Sequence, residues 1–141
     1  MIRRELPTVR VVAALIGDGG DPPRFLVQRR LPGVARALQW EFPGGKVENS
    51  EAEADALTRE CREELEVELR VGRRLWSGVH RYEDLVVELV LYEARIIRGS
   101  PRPLKASELR YLTPSEMKPL PFCQADVPLL EVLESVLAGA G

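Results

Sequence analysis

Three glutamates crowd one short segment of the chain, Glu60, Glu63 and Glu64 within Arg59-Glu60-Cys61-Arg62-Glu63-Glu64. A helix turns by about 100° per residue, so a helical reading puts Leu57, Cys61 and Leu65 on a narrow apolar stripe with Ala54 beside it. The three glutamates then share an arc next to that stripe, while Arg59, Arg62 and Glu66 point away. Glu60 and Glu64 are like-charge neighbours, as are Glu60 and Glu63, and each pair costs roughly 0.2–0.5 kcal/mol on an exposed helix. A divalent cation reverses the sign of that interaction. Hard cations such as Mg²⁺ take oxygen ligands and share them between one or two carboxylates and substrate phosphates. Taken alone, the run reads first as a solvated acidic face. The segment upstream tips the balance, because the paired glycines of Phe42-Pro43-Gly44-Gly45 let the backbone approach a metal or phosphate closely.

The elements that must hold these groups can be read from periodicity. Val9–Ile16 is apolar and β-branched and predicts a buried strand. The turn cluster Gly17–Pro23 follows, then a second strand over Arg24–Arg29, expected to pair with the first as a hairpin. Leu31–Gln39 reads as a loop, and Trp40-Glu41-Phe42 as a short extended piece. Ser50-Glu51-Ala52-Glu53 fits a capping box, predicting a helix from about Glu51 to about Leu65. Leu75–Val79, Leu85–Ile97 and Glu108–Leu112 read as strands, with Gly99–Pro103 as a break. Pro114–Met117 starts like a short helical turn, and Asp126–Leu137 predicts a closing amphipathic helix. Strands with one central and one terminal helix indicate a mixed α/β fold, a mixed sheet sandwiched between helices, within a single domain spanning residues 1–141.

The box around the glutamates resembles that of the Nudix hydrolases. That pattern is Gly, five residues, Glu, seven residues, Arg-Glu, an aliphatic residue, any residue, Glu-Glu, any residue, Gly and an aliphatic residue. Gly45, Glu51, Arg59, Glu60, Glu63, Glu64 and Val67 match it in register. Cys61 stands at an aliphatic position, a mild change because free cysteine behaves as a small hydrophobe. Glu66 stands where the family has Gly, which bears on the helix end. Gln28-Arg29-Arg30, Trp40–Glu48 and Ala125–Leu130 are similar to the MutT-type branch.

The resemblance implies the Nudix fold and hydrolysis of nucleoside triphosphates to a monophosphate and pyrophosphate, by attack at the β-phosphorus. Mg²⁺ is the implied cofactor, with Mn²⁺ as the alternative. By position, Glu60, Glu63, Glu64 and the Gly44 carbonyl bind metal, while Glu51 and Arg59 brace the loop and helix through an ion pair. Arg30 reaches the substrate, Lys46 touches phosphate or is simply exposed, Phe42 stacks on the base or packs in the core, and Asp126 recognises the base or caps the last helix. A nucleotide-pool-cleaning enzyme acting on 8-oxo-dGTP is the first expectation. A CTP or dCTP pyrophosphatase is the second, and a non-catalytic nucleotide-sensing module the third. Many relatives carry Glu-His before the strand at Glu108–Leu112, where this chain has Lys105-Ala106. Either Glu108 substitutes or the helix cluster acts alone.

Composition fits these expectations. The chain has 141 residues, 30% of them charged, and a formal net charge of −2. A protein that grips a nucleic-acid polymer carries a basic excess, so the expected partner is a small nucleotide. No apolar stretch is long enough to span a bilayer. Cys61 and Cys123 have no paired spacing, and Met1–Arg10 has no signal-peptide pattern, so a reduced cytoplasmic setting is expected. The protein is expected to be a monomer or homodimer. His80, the single histidine, is expected on the surface or in packing.

Overall fold

The computed structural model describes residues 5–140, of Ala140 the backbone only; the first four residues of the Met1–Arg10 segment lie outside it. The elements are β1 (Thr8–Ile16), β2 (Phe25–Arg29), β3 (Trp40–Glu41), β4 (Gly44–Lys46), α1 (Glu53–Leu65), β5 (Glu68–Arg81), β6 (Val86–Arg98), β7 (Glu108–Leu112), α2 (Pro114–Met117) and α3 (Val127–Ala140). They form a four-stranded mixed sheet, β4-β1-β6-β5, and a three-stranded antiparallel sheet, β3-β2-β7. In the larger sheet β1 runs parallel to β6. Side chains alternate across a strand, so β1 feeds two cores. Val12, Ala14 and Ile16 pack with Ala56, Leu57, Cys61 and Leu65 of α1. Ala13 and Leu15 join Leu129, Leu130 and Leu133 of α3 on the opposite face. The expected mixed sheet between helices is therefore the observed architecture. No helix among the described residues is long and apolar enough to cross a membrane.

Three local expectations are corrected. Strands β1 and β2 do not form a hairpin. A single bridge, Gly17 to Phe25, joins them, and β2 belongs to the other sheet with β7 and β3. The Gly17–Pro23 segment turns instead on Asp18, whose carboxylate accepts the N–H groups of Gly20 at 2.9 Å and Arg24 at 3.0 Å, an Asx-type turn. The capping box at Ser50 is also absent. Ser50 lies at φ 65°, outside the helix, and α1 starts at Glu53 after Ala52, which makes no side-chain cap bond. Glu51 is held in a turn, its N–H donating to the Glu48 carbonyl at 3.1 Å and its carboxylate accepting from Glu48 N at 3.1 Å. A capping box does form at α2, between Thr113 and Glu116. Finally, β5 begins at Glu68, well before Leu75, because register shifts near Arg74 break the alternation that would have exposed it.

The departure at Glu66 has a definite outcome. Glu66 takes the left-handed conformation, φ 59° and ψ 42°, and its N–H caps the Arg62 carbonyl. The helix end that glycine usually makes is thus made by a residue with a Cβ, which costs about 1 kcal/mol. The Glu66 carboxylate pairs with Arg102 at 3.2 Å, both side chains largely exposed, and such a pair returns little. Glu66→Gly is therefore expected to stabilise the protein by about 0.5–1 kcal/mol in urea denaturation. A lower midpoint for the variant would contradict this account of the helix end.

Candidate active site

The loop between β4 and α1 is fastened to the helix by one guanidinium. Arg59 donates Nε and Nη2 to the two Glu51 oxygens at 2.9 and 3.0 Å, and Nη2 to the Lys46 carbonyl at 3.0 Å. Its Nη1 donates to Glu60 at 2.9 Å. Arg59 holds the Glu51 carboxyl down at about 2, and its own pKa is raised, first by Glu51. The Glu51–Arg59 pair inferred from the resemblance is present. Glu63 lies 3.5 Å from the same guanidinium and is 48% exposed.

Glu60 and Glu64 face inward from α1. The Glu60 carboxylate lies against Gly45, where a Cβ would fall 2.3 Å from its Oε2. A side chain at Gly45 would displace the Glu60 carboxylate from this position. Glu64 Oε2 is buried without a hydrogen-bond partner. Burial, followed by the nearby Glu60 charge, raises the Glu64 carboxyl to about 7, while Gln28 and Lys105 act in the opposite direction. The structure thus brings Glu60 and Glu64 together and leaves Glu63 turned to Arg59. No group of three or more Asp, Glu, His or Cys side chains among the described residues is drawn into a ligand cluster. The donors nonetheless fit a hard divalent cation: they are all oxygens, one is orphaned and buried, and the glycine pair leaves room beside them.

Gly44 joins this cluster to a cavity on the α3 side of the sheet. A Cβ at Gly44, where φ is 154°, would meet the Val12 carbonyl oxygen at 1.9 Å, so β4 can cross β1 here only as glycine. The cavity has a volume of about 370 Å³, within the range of small-molecule sites. Val11, Val87 and Leu89 line it with Arg30, Phe42 and Asp126. Lys46 is exposed at its rim. Phe42 is buried and packs against Phe122 at 6.1 Å between ring centroids; it is both core and wall. Trp40 is buried in the core with Arg110 over its ring.

Asp126 is 5% exposed. Its carboxylate accepts from Phe42 N at 3.3 Å, across the cavity from its own helix, while its carbonyl accepts from Leu130 N at 3.1 Å. Burial raises its pKa well above the usual value, reinforced by Glu41 and opposed by the Phe42 N–H and Arg30. Arg30 donates to Glu41 at 3.2 Å and to the Ala35 carbonyl at 2.9 Å.

Glu41 is the residue that sequence reasoning missed. It accepts from Gln28 at 3.1 Å and from Arg30, and its charge raises the pKa of both Glu64 and Asp126. An acid on a short strand just before the glycine pair was the available signal. The Glu108 carboxylate is paired with Arg110. Lys105 instead brings positive charge toward Glu64, and Ala106 is buried. His80 stacks edge-on to Tyr82 at 4.5 Å. Cys61 and Cys123 are free and buried, their thiols pushed up to about 12 by burial, which leaves them unreactive.

Comparison with known proteins follows this geometry. The NUDIX domain family model matches residues 11–132. The chain is 33% identical over 130 residues to the CTP pyrophosphohydrolase of Escherichia coli K12, covering 92% of this chain and 94% of that protein. It is 32% identical over 118 residues to a putative 8-oxo-dGTP diphosphatase 2 of Mycobacterium tuberculosis, covering 82% of each. Among solved structures, the E. coli ORF135 protein superposes with a TM-score of 0.78 at 32% identity, covering 95% of this chain and 94% of that one. The MutT protein of Methanosarcina mazei Go1 shares the fold, with a TM-score of 0.82 at 19% identity and 94% and 97% coverage.

The buried Glu64 makes a checkable link between charge and stability. Unfolded, its carboxyl titrates near 4.5; folded and metal-free, near 7. Between those values the folded state keeps a proton that the unfolded state has lost. That contribution to stability is full below about pH 4.5 and disappears as pH rises through about 7. Melting temperatures of metal-free protein from pH 5 to 7 should fall more steeply for wild type than for Glu64→Gln. Superimposable slopes would show that Glu64 is not the titrating group.

Proposed function

The chain belongs to the NUDIX family, and from that premise we propose that it hydrolyses nucleoside triphosphates to the monophosphate and pyrophosphate in the presence of Mg²⁺. Nudix hydrolases act on small nucleotides and generally use divalent metal ions. The observation that carries the reading is the continuity at Gly44-Gly45 between a half-open cavity with apolar and charged walls and a pair of inward carboxylates, one with an unpartnered buried oxygen.

Glu60, Glu64 and the Gly44 carbonyl would hold the ion, with Glu63 joining from the exposed side. When bound, it supplies positive charge against the phosphate oxygens and makes water a better nucleophile. The chain's own work is mostly positioning. Arg59 fixes the Glu60 carboxylate and the loop that carries it. Arg30, at the edge of the cavity, faces the phosphates, and Lys46 adds charge at the rim. The apolar walls exclude water from the base, and Asp126 reads it. With its proton, the Asp126 carboxyl offers one donor and one acceptor, which complements the N3 and amino edge of cytosine. The O6 and N1–H edge of 8-oxoguanine presents acceptor and donor in the opposite order, so a carboxyl oriented by Phe42 N favours one base over the other.

The relatives favour cytidine nucleotides first, through the CTP pyrophosphohydrolase matched over 94% of its length. The putative 8-oxo-dGTP diphosphatase supports 8-oxo-dGTP as the second reading. Measuring kcat/KM for CTP, 5-methyl-dCTP, dGTP and 8-oxo-dGTP with Mg²⁺, and identifying the products, tests both. Orthophosphate in place of pyrophosphate, or no turnover of any of the four, would defeat the proposal. Glu60→Gln should lower kcat by about 100-fold or more while the circular dichroism spectrum stays the same. Asp126→Ala should compress the preference between cytosine and guanine nucleotides by about tenfold, the worth of one oriented hydrogen-bonded contact. A variant with an unaltered preference would reduce Asp126 to a structural tie to Phe42.

A further inference from the structure

The loop over residues 31–39 borders the cavity and has little apolar burial to hold it, for Leu31, Val34 and Leu38 are exposed. Two of its residues, Arg36 at φ 57° and Leu38 at φ 60°, sit in the left-handed region without being glycine. Such strain persists where surrounding contacts over-determine the conformation, and it gathers at ligand clamps. Some of those contacts are to the loop's backbone: Arg30 donates to the Ala35 carbonyl at 2.9 Å and Arg29 to the Leu38 carbonyl at 3.2 Å.

The Arg36 side chain leaves the loop altogether. Its guanidinium lies 4.1 Å from the centroid of the Tyr82 ring and donates to both Asp84 oxygens, at 3.2 and 3.4 Å. Tyr82 and Asp84 belong to the tight turn that closes the β5–β6 hairpin, where Tyr82 N donates to the Leu85 carbonyl at 2.8 Å. The Tyr82 hydroxyl oxygen in turn accepts the Ala125 N–H at 2.9 Å. Ala125 precedes Asp126, whose carboxylate returns to Phe42 N. Arg36, Tyr82, Asp84 and Asp126 all line the one cavity. An exposed Asp–Arg pair alone contributes little, but this guanidinium is 21% exposed and stacked on an aromatic face, a geometry that lysine cannot reproduce.

We propose that Arg36 is a specificity-determining positioning residue: stacked on Tyr82 and paired with Asp84, it sets the width of the cavity mouth and, through Tyr82 and Ala125, the alignment of the Asp126 carboxyl against the base of the substrate. The inference rests on the nucleotide-hydrolase reading above. It concerns how the base is discriminated, and it separates Arg36 from the groups that touch phosphate. A strap that merely keeps the loop folded would lower activity on every nucleotide alike.

The test compares wild type with Arg36→Ala, Arg36→Lys, Asp84→Asn and Tyr82→Phe, using CTP and 8-oxo-dGTP, and follows binding of the products CMP and 8-oxo-dGMP by calorimetry. Arg36→Ala should raise KM for the preferred nucleotide about tenfold while kcat falls less than threefold, and weaken binding of its monophosphate by a similar factor. The kcat/KM ratio between the two nucleotides should shrink at least fivefold. Arg36→Lys should not restore it. Tyr82→Phe keeps the ring under Arg36 but removes the oxygen that accepts Ala125 N–H, and should shrink the ratio likewise. Combining Arg36→Ala with Asp84→Asn should cost no more than Arg36→Ala alone. An unchanged ratio in Arg36→Ala and Tyr82→Phe, or equal losses on both nucleotides in step with a lower melting temperature, overturns the clamp while the hydrolase reading stands. A wild-type chain that turns over no nucleoside triphosphate overturns both.

Discussion

The Arg59 guanidinium is the contact on which the site depends. Four carboxylates, those of Glu48, Glu51, Glu60 and Glu63, lie within 4 Å of it. It is also hydrogen-bonded to the Lys46 carbonyl, so one side chain ties β4, the turn after it and α1 into a single body. One positive charge cannot balance four negative ones. The loop is therefore ordered and the cluster remains acidic, with Glu64 buried beside it. Close acidic groups at a low effective dielectric repel strongly, and added cations relieve that repulsion. The same arginine that makes the fold possible at this point leaves the charge deficit that a divalent ion suits.

A second line of polar contacts runs beneath the glycine pair. Gln28 is buried, engages the Glu64 carboxylate and donates to Glu41. Glu41 also accepts from Arg30, and its field reaches Asp126. Removing one member of such a network leaves its neighbours unsatisfied, so its parts behave as a unit. The carboxyls of Glu64 and Asp126 are both pushed up by burial, and Glu41 reinforces both shifts. Perturbed acids of this kind gather at functional sites, and the proposed function assigns these two to different ends of a nucleotide.

Much of this was legible in the residues, and the failures have particular causes. The strands of β1, β2, β6 and β7 follow apolar runs, and α1 follows the Leu57, Cys61, Leu65 stripe, because burial on a fixed face imposes the period. The Glu51–Arg59 pair was legible through the resemblance. Ser50 was misread because a hydroxyl followed three residues later by glutamate has the form of a cap. Arg59 takes the Glu51 carboxylate, and the turn at Glu48–Glu51 pushes Ser50 into the left-handed region. The hairpin of β1 and β2 was a local guess defeated by a long-range pairing: nine residues of β1 register with β6, and no sequence period reports a partner 78 residues away. The start of β5 was hidden by its bulges. Glu41 and Arg36 were hidden for a related reason, since what they touch lies on segments distant in sequence.

The glycine pair shows why cavity and carboxylates meet where they do. Gly44 is pressed against the β1 backbone and Gly45 against the Glu60 carboxylate, and both line the cavity. On the Gly45 side lies α1 with its acids; on the other lies the cavity over β1 and β6, capped by α3. A side chain at Gly44 would drive β4 off the β1 backbone, and one at Gly45 would displace the Glu60 carboxylate. Under the proposed function, the spacing from base to phosphate follows from the close pairing of β4 with β1. The loop at 31–39 and the β5–β6 turn are free to shape one end of that pairing without disturbing the other.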